Sequence, residues 1–417
     1  MSAPASQEDL DTILATIFMT PEGKADPYPG YATVREASAL HESGLGAYVV
    51  SRYEDCSSLL RDNRLGRGEQ GSQAEYLGLT QAEYDIRFPR SAGRVESMLG
   101  LDPPDHTRLR SLVAKAFTPK TVEALRPRIQ DLTAGLLEGL EGEVDVIPEL
   151  ALKLPITVIG EMLGVPQQDH ADLLAPIKVV VRSLATFEPN LEEFTEIYEA
   201  SGVIDDYFQD LVNHKRAHPA EDMLSELIQA EDAGDKLTEA ELLATIMLLF
   251  VAGYETTTNL IGNGLRALLL YPDQLKRLRD DRSLVKSAVE ETLRYDSPVQ
   301  FTARVVLHDG VEITGTPIAA GRQIIVLLGG ANRDPRAYRD PDTFDVGRSG
   351  PPPVSFSGGI HYCLGAALAR AEGQIVFDSL VSRYTAIEPA WPEDKPPVYR
   401  DSAVLRGLET LPVRLLP

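Results

Sequence analysis

The sequence predicts a mostly helical chain with a small β-rich region, and three observations predict it. A long helical run to Tyr271, apolar on nearly every side from Leu242 to Ala252, opens on a capping box and stops at Pro272. Apolar positions recur at helical spacing in several further segments, and β-branched runs cluster between Arg304 and Leu328 around Gly310 and Gly315. Over 417 residues nothing reads as a linker, so one large domain spanning 1–417 is expected.

Taken in order, the residues up to Pro29 are polar, and Asp26-Pro27-Tyr28-Pro29 reads as a turn before a first helix through Tyr31 to Ala37. Ala47 to Val50 is a short strand and Arg52 to Asp62 a helix. From Arg64 to Met98 the chain is irregular, punctuated by Gly66, Gly68, Gly71, Pro89 and Gly93; such a stretch is either a surface excursion or an active-site lid. Pro103-Pro104 then starts a helix on which His106 and Arg110, four apart, share a face. Scaffold helices follow over 122–140 and 150–163, with Gly164 just past the second. Two more occupy 170–213, separated by a breaker from Ala185 to Asn190.

The long helix begins at Thr238-x-x-Glu241, and from Leu242 to Ala252 it is apolar on nearly every side, which marks it as buried. Within it stands Ala252-Gly253-Tyr254-Glu255-Thr256-Thr257-Thr258. A glycine for close packing and threonines bonded back to carbonyls would explain the pattern; so would a helix loosened to admit water beside a buried acid. Glu291-x-x-Arg294 by itself is an ordinary helical pair. Short strands and a turn at Ser402-Ala403-Val404 complete the tail.

Composition excludes several functions. A formal charge of −23 argues against nucleic acid or an anionic membrane as partner. The first thirty residues hold neither a basic start with an apolar run nor a spanning segment, so a cytoplasmic protein is expected. Two cysteines, Cys56 and Cys363, rule out a disulfide framework, and one Cys beside one His is too few for a structural zinc site. Cys56 reads as packing. Cys363 closes a glycine-bearing loop and precedes Ala366 to Glu372, a good helix former, so its sulfur meets a helix start that favours a thiolate.

Phe356-Ser357-Gly358-Gly359-Ile360-His361-Tyr362-Cys363-Leu364-Gly365 resembles the haem-binding loop of the cytochrome P450 family, with Ser357 where the family usually has a second glycine. The resemblance extends over nearly the whole chain, and its motifs come in the family's order. It implies a cytochrome P450 fold holding haem b, with Cys363 as the axial metal ligand and Phe356, Gly365 and Ala252 against the cofactor. His106, Arg110, Arg304 and His361 are implied to bind the haem carboxylates. Thr256 and Glu255 become the catalytic alcohol–acid pair that relays protons. Leu248, Val251, Val299 and Phe301 are implied to line an apolar substrate pocket, and Glu291 and Arg294 to form a buried brace. Thr343 stands where the family often has arginine before Phe344, which leaves the second arginine of that brace open, Arg348 being a candidate.

The implied activity is a monooxygenase that activates dioxygen with two external electrons and hydroxylates or epoxidises a mid-sized apolar small molecule, in secondary-metabolite biosynthesis. Without a fused flavin or iron–sulfur region the electrons come from a ferredoxin and its NAD(P)H-dependent reductase, docking on Arg108, Lys115 and Arg370. Oxidative coupling, peroxide-driven oxygenation and a catalytically inactive recruitment module are the alternatives; retention of Cys363, Glu255 and Thr256 weighs against the last two.

Overall fold

Leu10, Leu14, Ile17 and Phe18 fall on one helical face, and the helix Gln7–Met19 buries all four. Its start is fixed by a capping box, Ser6 accepting from the Asp9 N–H while the Asp9 carboxylate accepts from the Ser6 N–H at 2.9 Å. The polar segment expected here is therefore a helix, whose apolar face the surrounding acidic and polar residues disguise. The computed structural model describes residues 6–44, 46–68, 73–91, 95–183, 190–232, 237–392 and 394–417. Gly71, Gly93 and the breaker from Ala185 to Pro189 lie outside the described residues.

Two compact units share the chain: Met1–Gly66, Val122–Leu154 and Thr256–Pro417 form the first, Arg67–Thr121 and Pro155–Glu255 the second. In the first, a five-stranded sheet runs in the order His41–Glu42, Tyr48–Val50, Gln323–Val326, Thr302–Val306, Leu65–Gly66, antiparallel except where Tyr48–Val50 lies parallel to Gln323–Val326. One face packs Val49, Ile325 and Leu327 against the 7–19 helix; the other packs Val50, Ile324 and Val326 against Leu59 and Leu60. The β-branched runs at 305–307 and 324–326 thus build this sheet, while 311–313 lies in a separate hairpin. A three-stranded sheet carries Gly142–Asp145, Pro412–Leu416 and Ala386–Pro389, and Val311–Ile313 with Thr316–Ile318 makes a hairpin.

The stretch expected to be irregular contains order: Gln73–Tyr76, Gln81–Arg87 and the 3-10 turn Pro89–Ser91 are helical, and Tyr84 and Phe88 pack with Leu191, Phe194 and Tyr198. The long helix is Glu239–Leu270, opened by the expected box, in which Thr238 N–H donates to the Glu241 carboxylate at 2.8 Å. Its length and composition would let it cross a bilayer, yet half of its most apolar window is buried inside the protein.

Two networks of buried charge stand out in the first unit. Glu291, 2% exposed, accepts from Arg294 at 2.7 and 2.8 Å, from Arg348 at 3.0 Å and from the Asp345 N–H at 2.9 Å. Arg348 therefore fills the position that Thr343 leaves open. The second network gathers Tyr28, Tyr399 and Arg406 on Asp296 at 2.9, 2.5 and 2.5 Å, with the Arg406 guanidinium 3.5 Å over the Tyr399 ring. Burial opposes the charge on Asp296, but Arg406, Tyr399 and Arg333 hold its pKa below the ordinary carboxylate value.

Glu372, in the helix Ala366–Arg383, is 1% exposed, and its Oε2 has no hydrogen-bond partner among the described residues. Burial pushes its pKa up to about 8. The folded chain then holds a proton that the unfolded chain releases above the ordinary carboxylate value, so stability falls as pH rises from there through about 8. Glu372→Gln should flatten this fall, measured as the change in urea midpoint with pH. Glu291→Ala, which strands two guanidiniums, should cost about 3 to 5 kcal/mol in the same assay, and Arg348→Ala clearly less because Arg294 still holds the carboxylate.

Candidate active site

In the first unit the chain from Val354 to Gly365 makes two 3-10 turns, Val354–Phe356 and Gly359–His361, before the helix Ala366–Arg383 begins. Gly359 has φ +62°, and a Cβ there would meet the Leu60 carbonyl at 2.6 Å, so only glycine lets the loop run against the Leu60–Arg61 backbone. The Cys363 N–H donates to the Phe356 carbonyl at 2.9 Å, closing the loop and leaving Cys363 exposed just ahead of the helix start. Cys56 is the opposite case. It is fully buried with Sγ 3.5 Å from the Val50 carbonyl, and burial, with Asp55 and Asp334 adding to it, pushes its thiol pKa well above the ordinary value.

Beside this loop, Arg304 is 2% exposed and its guanidinium donates to Thr302 Oγ1 at 3.1 Å, the Ala303 carbonyl at 2.9 Å and Ser357 Oγ at 3.1 Å. His361 is half-buried on the second 3-10 turn. Phe356 lies under Arg370, 4.5 Å from guanidinium carbon to ring centre. Asn332 holds the front of the loop: its Nδ2 donates to Ser355 Oγ at 2.8 Å and its Oδ1 accepts from the Val354 N–H at 2.9 Å. No spacing in the sequence marked Asn332, whose role is visible only in the folded chain.

In the second unit, His106 and Arg110 stand on the helix Asp105–Val113. His106 is 2% exposed; burial and the Arg110 charge lower its pKa, Asp102 opposes them, and Arg67 reinforces them. A neutral imidazole can donate a hydrogen bond to a carboxylate but cannot neutralise one, which narrows the part expected of His106. Arg110 is half-buried on the same helix.

A cavity of about 830 Å³ opens in the second unit, walled by Met247, Leu248, Val251 and Ala252 of the long helix and edged by Arg67 and Asp205. Helical spacing puts Thr256, half-exposed, on the same face as Leu248 and Ala252, while Glu255, Thr257 and Thr258 are buried. At Gly253 the helix packs closely on a neighbour: a Cβ there would meet Ile159 Cγ1 at 3.0 Å, and the segment is assigned α-helical.

The other two expected substrate contacts, Phe301 and Val299, belong to the first unit. Phe301 packs edge to face on Phe18 at 5.1 Å within the core around the 7–19 helix, because the strand it precedes lies against that helix. Val299 packs on the opposite core of the sheet and bridges to Leu405. A larger open groove of about 1110 Å³ in the first unit is lined by residues of both charges, among them Arg64 and Asp62, and Arg336 and Asp334, which pair at 2.6 and 3.2 Å. It is a polar surface trough. Arg67 and Asp205 went unremarked in the sequence, because one lies in the glycine-punctuated stretch and the other among the many acids of the helix Leu191–Ala217.

An exposed thiol ahead of a helix, with a buried guanidinium and an imidazole in the same unit, is a donor set suited to a haem: sulfur for iron, cationic and polar groups for carboxylates. The sequence matches the cytochrome P450 family over residues 86–410. It is 42% identical over 395 residues to cytochrome P450 107B1 of Saccharopolyspora erythraea, covering 93% of this chain and 95% of that one. It is 36% identical over 412 residues to the polyketide biosynthesis cytochrome P450 PksS of Bacillus subtilis, covering 96% and 99%. The solved structure of the tirandamycin C-bound P450 monooxygenase TamI matches with a TM-score of 0.81 at 37% identity, covering 95% of this chain and 99% of that one. With the family come its fold and its cofactor, haem with an axial cysteine thiolate, and the chain belongs to the cytochrome P450 family as a monooxygenase.

Proposed function

We propose that the protein hydroxylates or epoxidises a mid-sized, largely apolar small molecule of secondary metabolism, with Cys363 as the axial ligand. The observation that carries this reading is the contrast between its two cysteines: Cys363 is exposed on a clamped loop at a helix start, and Cys56 is sealed in the core. The names of relatives, polyketide biosynthesis for one and tirandamycin C as ligand of another, support the substrate class. The apolar wall of the 830 Å³ cavity supports it independently. The family model runs through both units, which supports a single domain, and the cytoplasm suits proteins that supply its electrons.

Bound haem supplies the reductive activation of dioxygen. The chain's own part is to hold, orient and protonate. Arg304, His361, Arg110 and the neutral His106 would bind the haem carboxylates, and Phe356, Gly365 and Ala252 would give the cofactor apolar contact. Thr256 Oγ1, on the half-exposed face of the long helix, would hold the proton to be delivered, and the adjacent Glu255 would take a proton from solvent and pass it on to replace the one given up. Leu248 and Val251 keep water off the substrate and set its orientation.

Electrons are delivered by a ferredoxin and its NAD(P)H-dependent reductase. Among the three basic residues expected to dock the carrier, Lys115 is exposed, whereas Arg108 pairs with Asp105 and Glu241 and Arg370 with Glu290. Those pairings reduce what Arg108 and Arg370 can offer an acidic surface, so Lys115 carries more of the attraction.

The reduced protein with carbon monoxide should give the absorption band of a thiolate-ligated haem, and Cys363→Ala should lose that band; a folded variant that keeps it would remove Cys363 from the iron. Thr256→Ala should load haem normally but form less product per reductant consumed, and labelled dioxygen should appear in the product, which oxidative coupling would not give.

A further inference from the structure

Ser357 sits at φ +61°, ψ −155°, a backbone region that is essentially reserved for glycine. Side chains persist there only where the surroundings over-determine the conformation, and both flanks of Ser357 are fixed. On one side Val354 and Ser355 are pinned by Asn332, Ser355 Oγ also donating to the Leu293 carbonyl at 2.6 Å. On the other side Gly358 and Gly359 run against Leu60 and Arg61. The Ser357 N–H itself donates to the Val354 carbonyl at 2.8 Å.

Glycine would satisfy this backbone without strain, so the hydroxyl is what the serine adds. Its oxygen accepts from Arg304 Nη2 at 3.1 Å, and a hydroxyl that accepts still has one proton to donate. The same guanidinium also donates to the Thr302 hydroxyl and the Ala303 carbonyl, at 3.1 and 2.9 Å, and Ser357 ties it to the cysteine loop.

We propose that Ser357 is a positioning residue of the haem site: its hydroxyl orients Arg304 and donates a hydrogen bond to the same haem carboxylate, and the strained backbone is kept for that purpose. This rests on the assignment of Arg304 to a haem carboxylate. The cost falls on folding and the gain on cofactor retention, so the two can be separated by variants. Ser357→Ala removes the hydroxyl and keeps a Cβ in the strained region, whereas Ser357→Gly removes both.

The test uses the holoprotein and both variants, with three readouts: haem transfer to excess apomyoglobin, the iron reduction potential, and the urea midpoint. Both variants should lose haem at least about tenfold faster than the parent, the size of a lost bond to a charged group. Both should shift the potential equally toward more negative values, since a less ordered guanidinium stabilises the reduced state less. Ser357→Gly should unfold at higher urea than Ser357→Ala, and the double variant Arg304→Lys/Ser357→Ala should lose haem no faster than Arg304→Lys alone. Parent-like haem loss and potential in both variants would overturn the role of the hydroxyl, as would full additivity with Arg304→Lys. Equal urea midpoints would overturn the strain. If Ser357→Ala does not fold, Ser357→Gly still lacks the hydroxyl on an easier backbone. If the parent takes up no haem, the assignment of function fails instead, and the urea comparison still reads the backbone.

Discussion

The carboxylate of Glu291 is the fixed point on which the cysteine loop depends. A charge that deep must be met by opposite charge and by hydrogen bonds, and Arg294 and Arg348 meet it. Arg294 then spends its remaining N–H groups on the carbonyls of Asn332, Pro341 and Thr343. Asn332, so held, clamps Val354 and Ser355 with its side chain. The path from a buried ion pair to the loop that carries Cys363 is therefore continuous, through groups each of which has its partners defined. Breaking the pair would loosen the sulfur, even though neither charge touches it.

Such a path explains why a rigid ligand loop can be built from residues that favour flexibility. Two glycines and a strained serine would disorder a free peptide, because each broadens or burdens its backbone choices. Here the entropy is removed from outside: Asn332 at the front, the Leu60–Arg61 backbone at the back, and the following helix beyond Cys363. The loop is ordered by its surroundings, and its sequence is free to be chosen for chemistry. Asp296 does the same for the C-terminal segment, joining Tyr28, Tyr399 and Arg406 from opposite ends of the chain.

Much of this was legible before folding wherever the signal was local. The box at Thr238 and Glu241, the stop at Pro272 and the glycines around the hairpin each describe a few consecutive residues, and each element stands where they put it. The Ser6–Asp9 box was equally local and went unread because charged neighbours masked the apolar face behind it. What the sequence could not disclose were choices made by distant residues. The packing of Phe301 on Phe18, two residues far apart in the chain, is visible only once it has folded. The close approach of Ile159 to Gly253 likewise comes from a distant part of the chain. Arg348 became a partner of Glu291 through a loop whose course no periodicity reveals.

The two sulfurs differ so sharply in access that the protein carries its own gauge of cofactor departure. Cys56 is shut away with an unreactive thiol, so an alkylating dye has one place to go, and an iron bond at Cys363 would shield that place for as long as it lasts. Dye uptake would then count vacated sites molecule by molecule, with no second cysteine to blur the reading.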